Sequence, residues 1–193
     1  LDTLSTLFKS IEKLAPEDQG KVVDYVAYLT WQAEQRLARP SAWSLSLIEA
    51  FRTAVVQASD KPTGMDVKLA PAIVGGEERP ALWAHPPVEG RAIIEYHLPI
   101  PQAIDQLRLR LAIGIRDGSK IDPNNLVAFA VRINGLRVWG RQTNARRWQP
   151  AEIPLEVVSG DIVRLELTTE TLGSHEWTWA VWGQPELIGQ QVG

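Results

Sequence analysis

The stretch that most constrains the fold is residues 126–141, LVAFAVRINGLRVWGR. Two alternating apolar runs flank Asn134-Gly135. Both positions of a two-residue type I′ turn need positive φ, which Asn and Gly tolerate, so the pair predicts a β-hairpin and sets its register. Ile133 should face Leu136 and Val131 should face Val138, with Phe129 on the same, core side. The outer side then carries Ala130, Arg132, Arg137, Trp139 and Arg141. A tryptophan among arginines on an outer face is not required by a core. It calls for a ligand or for a covering segment of chain.

The same two-residue period runs from Asp66 to the end. It predicts strands at Val67–Val74, Ala81–His85, Arg91–Leu98, Gln106–Ile115, Leu126–Ile133, Leu136–Arg141, Ala151–Leu155, Asp161–Thr169 and Trp177–Trp182, with a final short strand at Glu186–Ile188. Many short strands with one apolar face each predict a jelly-roll β-sandwich. Ahead of it the period is helical. Residues 2–14 form a short helix, Pro16 opens a second that runs to about Leu37, and Ser41 caps a third carrying Trp43, Leu47, Ile48, Phe51 and Val55. The expected organisation is a helical region over 1–60, a Lys-Pro-Thr-Gly linker over 61–65, and the sandwich over 66–193.

A length of 193 residues allows one domain with a helical appendage. The net charge of −3 argues against nucleic-acid binding by a general basic field. With no cysteine, thiolate metal sites, cysteine nucleophiles and disulfides are excluded. No apolar run approaches the roughly 20 residues of a membrane span. The first residues lack the order of a signal peptide, which points to the cytoplasm. His85, His97 and His175 have no metal-ligand spacing. No phosphate-binding glycine loop and no nucleophile elbow occurs, so no enzyme activity is expected.

Three stretches carry a resemblance: IVGGEERPALWAHPP (73–87), AFAVRINGLRVWGRQ with RRWQPAEIPL (128–155), and IVRLELTTETLGSHEWTWAVWGQPELI (162–188). Together they resemble the galactose-binding-like sandwiches of bacterial carbohydrate-binding modules, in particular the family known as novel carbohydrate-binding modules. The resemblance covers about residues 66–190 and implies a mainly β fold and a glycan ligand. On it, Trp139 is the stacking platform, with Arg137, Arg141 and the loop residues Arg116 and Asp117 as hydrogen-bond partners and Trp148 beside them. Related sandwiches hold a structural calcium near the last strand. Here that implicates Glu186 with Asp66, Glu77 or Glu78, too few oxygens for the six to eight that calcium takes, so no cofactor is expected. The N-terminal helices resemble a segment of small antitoxin-like proteins. The alternative function is protein interaction or self-assembly through helices 2–37, with the sandwich as scaffold.

Overall fold

The computed structural model describes residues 6, 9–38, 42–58, 67–157 and 159–191. They divide into two compact units, one within residues 1–41 and one over 42–192. The first unit holds helix α1 (Pro16–Ala38), with Glu17 and Asp18 in its first turn, where the helix dipole favours acids. Of the short helix expected ahead of it at 2–14, Thr6 and residues 9–11 are helical and residues 12–14 form a turn and bend that end it early. Residues 2–5 and 7–8 lie outside the described residues, as does the 61–65 linker.

The second unit is a sandwich of two antiparallel sheets built from β1 (Ala42–Ser46), β2 (Val55–Ala58), β3 (Lys68–Val74), β4 (Glu77–Trp83), β5 (Ala92–Pro99), β6 (Ile104–Ile115), β7 (Val127–Ile133), β8 (Leu136–Thr143), β9 (Gln149–Pro154), β10 (Ile162–Thr171) and β11 (Ala180–Gln191). One sheet runs β3-β4-β11-β6-β9, with β1 also on β11; the other runs β2-β5-β10-β7-β8. The twelve-residue β11 organises the first sheet. It has β6 along one edge, and β4 then β1 along the other.

The expected third helix is therefore a strand, a 3-10 turn (Glu49–Thr53) and a second strand. Trp43, Leu45 and Leu47 alternate with Ser44 and Ser46, a strand period that the helical spacing of Trp43, Leu47 and Phe51 masks. Once β1 pairs with β11 and β2 with β5, the segment belongs to the sandwich, and the boundary moves from about residue 60 to 41/42. The Tyr96 hydroxyl, fully buried, donates to the Leu47 carbonyl at 2.9 Å and fastens the segment to the second sheet.

The core between the sheets takes Leu82, Ile94, Leu109, Ile113, Phe129, Val131, Leu165, Leu167 and Trp182, all at most 1% exposed. Each such burial contributes about 1.5–3 kcal/mol before entropy is counted. The alternation in β6 fails from Leu111 onward, where both faces are buried. A second small core explains it: Ala72, Val74, Ala81, Ala112, Trp148 and Val181 pack on the outer face of the sheet. Gly114 and Gly183 admit this layer, since a Cβ would stand 2.8 Å from Val74 at the first and 2.6 Å from the Trp148 ring at the second.

The hairpin turns at Asn134 (φ 51°) and Gly135 (φ 85°), and the Asn134 side chain accepts the Arg164 N–H at 2.9 Å. Its register departs from the expected one. Ile133 pairs with Leu136 and Arg132 with Arg137, but Val131 then pairs with Trp139. Val138 is the extra residue of a β-bulge, and one inserted residue exchanges the two faces of everything beyond it. Leu136 and Val138, expected in the core, are exposed. The strands expected at Trp177–Trp182 and Glu186–Ile188 are one strand, β11, with Pro185 at its bulge; Trp177 to Trp179 precede it in a loop.

Candidate functional site

Three segments meet at one end of the first sheet. The register sets Trp83 opposite Val181 and Ile115 opposite Ala180, so the end of β4, the end of β6 and the loop entering β11 lie level. Each is tied to the next through the backbone. Arg116 N–H donates to the Trp179 carbonyl at 2.9 Å, and Ala84 N–H donates to the Ala180 carbonyl at 3.0 Å. The Ser119 hydroxyl donates to the Trp177 carbonyl and accepts the Ile121 N–H. Asp117 closes the β3–β4 turn: its two oxygens accept the N–H groups of Gly75 and Gly76, each at 2.8 Å. Those glycines have φ of 63° and 79°, so successive N–H groups converge on one carboxylate as in an anion nest.

This frame carries three tryptophans and three cations. The Arg116 guanidinium carbon lies 3.3 Å from the Trp83 ring centroid and 5.1 Å from that of Trp179. Lys68 Nζ is 4.5 Å from the Trp83 centroid, and Lys120 Nζ is 5.3 Å from that of Trp177. The Trp177 and Trp179 rings lie 5.3 Å apart, tilted by 41°. Trp177 is 39% exposed and has φ 62°. A large side chain in the left-handed region is strained, and such strain concentrates where the surroundings hold a side chain in place for a purpose.

The electrostatics follow from the packing. His85 is 6% exposed, edge-on to Trp83, with Nδ1 3.3 Å from the Thr178 carbonyl oxygen. Burial, aided by Arg116 and Lys68, lowers its pKa to about 4, so the imidazole is neutral at pH 7. Burial also lowers the Arg116 pKa below its ordinary value. Ser119 is committed to the loop backbone and His85 to Thr178, so neither is arranged as a nucleophile with its base.

Of the residues expected in a site, only Arg116 and Asp117 lie here, and Asp117 holds the β3–β4 turn. Trp139 is turned inward by the bulge onto the core, its ring 6.3 Å from buried Trp182, and Arg141 lies over it at 5.8 Å. Arg137 pairs with Arg132 on the other sheet. Trp148 is 9% exposed in the second core, its indole N–H donating to the Glu77 carbonyl. Glu186 sits within β11 between Ser46 and Arg110, and no group of three or more metal-ligating side chains occurs among the described residues. Asp66 lies outside them. Trp83, Trp177, Trp179, Lys68 and Lys120 join the site although no motif in the sequence marks them. The available signal was position: Trp83 precedes Ala-His-Pro-Pro, and Trp177 follows Gly-Ser-His-Glu, both turn compositions.

No protein family matches the chain by sequence, and no curated protein does. Among solved structures the chain is similar to the CBM51-2 and INT domains of Clostridium perfringens ZmpB in complex with GlcNAc, with TM-score 0.55 and 9% identity over 77% of this chain. The match spans only 32% of that chain. It is also similar to CBM51 from Clostridium perfringens GH95 in complex with methyl-galactose, with TM-score 0.50 and 15% identity over 75% of this chain and 99% of that one. At these identities the likeness is one of fold. The sandwich has the galactose-binding-like fold of carbohydrate-binding modules.

Proposed function

We propose that the chain is a non-catalytic carbohydrate-recognition module, with its site at the sheet end formed by Trp83, Arg116, Lys120, Trp177 and Trp179. One observation carries this: Trp177 stands 39% exposed, in a strained backbone conformation, on a loop anchored to two others. An indole face matches the apolar C–H face of a pyranose ring, and it gains most when the ring is held rigid before the ligand arrives. Arg116 supplies N–H donors beside the ring, because stacking uses the faces of a guanidinium and leaves its edge free. The fold likeness to modules solved with GlcNAc and methyl-galactose agrees with a sugar ligand. The test is a glycan-binding measurement on the 193-residue chain and on Trp177→Ala. Binding that falls at least tenfold supports the site, and unchanged affinity sinks it.

A second function, self-association through α1, is favoured by the exposure of Val23, Val26 and Leu29 on that helix. Sedimentation across a hundredfold range of concentration tests it, a constant monomer mass being the result against it.

A further inference from the structure

The donors and acceptors of the tryptophan end are unbalanced. Lys68, Arg116 and Lys120 all lie at its rings, and none forms an ion pair with a described residue. Lysine and arginine heads only donate. Most of the acceptors around them are engaged. Asp117 gives both oxygens to Gly75 and Gly76, and the Pro71 carbonyl accepts the Trp83 indole N–H. The Trp177 carbonyl accepts from Ser119 and from Trp179 N–H, and the Thr178 carbonyl faces His85. Asp122 accepts the Asn124 N–H. Glu176, next to Trp177 in sequence, is an exposed acid of the same loop, and His175 is half-buried there.

A neutral sugar hydroxyl both donates and accepts, and its proton finds few free acceptors in such a wall. A carboxylate or sulfate accepts only, so its oxygens match donor-only heads. Charge-assisted hydrogen bonds are also about twice as strong as neutral ones. Arg116 adds a reason of its own. It is half-buried between two indoles with no counter-ion among the described residues, and an arriving anion offsets that desolvation.

We infer that the ligand is an acidic glycan, a sugar whose apolar face lies on Trp177 and whose anionic substituent meets Arg116 and Lys120, with Lys68 nearby. This rests on the placement of the sugar site at the tryptophan end. The experiment is a glycan array holding matched neutral, uronate-bearing and sulfated glycans, probed with the full chain, followed by titration of the best acidic hit. Acidic members should bind at least tenfold tighter than their neutral counterparts, and the uronate and sulfate arms identify the anion. Lys120→Gln and Lys68→Gln, both exposed substitutions, should each weaken the acidic hit by about twofold to fivefold, the effect of removing one exposed charge. Equal or tighter binding of neutral members overturns the acidic class and leaves the sugar site standing. Acidic binding that both lysine variants and Trp177→Ala leave unchanged overturns the placement. Absence of binding across the array overturns both.

Discussion

The guanidinium carbon of Arg116 stands 3.3 Å from the centroid of the Trp83 ring, the shortest cation-to-ring distance in the described residues. At that distance the ring quadrupole attracts the charge directly, and partial burial strengthens the attraction. A double-mutant cycle of Arg116→Met and Trp83→Leu should return a coupling of about 1 kcal/mol. Additive effects on the unfolding free energy would show that the stack contributes nothing.

Trp139 should behave as a core residue. The bulge at Val138 turns its ring toward Trp182, so Trp139→Ala removes packing. The expected outcome is a loss of about 2–3 kcal/mol in denaturant unfolding, somewhat below full-burial values because the ring is only partly covered. Glycan affinity of the folded fraction should be unchanged, which separates it from Trp177→Ala.

Gly183→Ala should destabilise the sandwich without touching the site. The new methyl would lie 2.6 Å from the Trp148 ring, and that ring is held by its indole hydrogen bond to Glu77. Overpacking of this kind costs about 1–3 kcal/mol. A melting temperature equal to that of the parent would mean the outer layer yields freely.

His85 makes stability depend on acid. Its folded pKa, about 4, is below the ordinary 6.5, so the unfolded chain takes up its proton first as pH falls. The contribution is intact above pH 6.5, is lost as pH drops from 6.5 to 4, and changes no further below. A difference of that size corresponds to on the order of 3 kcal/mol. Comparing unfolding at pH 7 and pH 4 in the parent and in His85→Asn checks it. A pH dependence identical in the two would assign the loss to other groups.

Much of the sandwich was legible in the sequence because alternation is a direct image of a half-buried sheet. Leu107, Leu109, Leu111, Ile113 and Ile115 read correctly as one buried face, as did Val163, Leu165 and Leu167. The turn at Asn134-Gly135 was legible for a different reason, the backbone angles that few residues other than these adopt. Where two periods fit the same letters, reading failed. Residues 42–58 satisfy helical spacing through Trp43, Leu47 and Phe51 and strand spacing through Trp43, Leu45 and Leu47, and only the free edges of β11 and β5 decide between them.

The tryptophan end was not legible, and its residues show why. Lys68, Trp83, Arg116, Lys120 and Trp177 span more than a hundred positions and share no motif. They come together because β4, β11 and β6 are neighbours in one register, a long-range choice that no local stretch encodes. The bulge at Val138 is the same lesson at the scale of one residue, since local alternation is identical with and without it while the face of Trp139 is opposite. Local chemistry, in the form of alternation, turn residues and the absence of cysteine, determined the secondary structure of the sandwich and the classes of site it excludes. Tertiary pairing decided which tryptophans are core and which are surface, because burial depends on what covers a side chain.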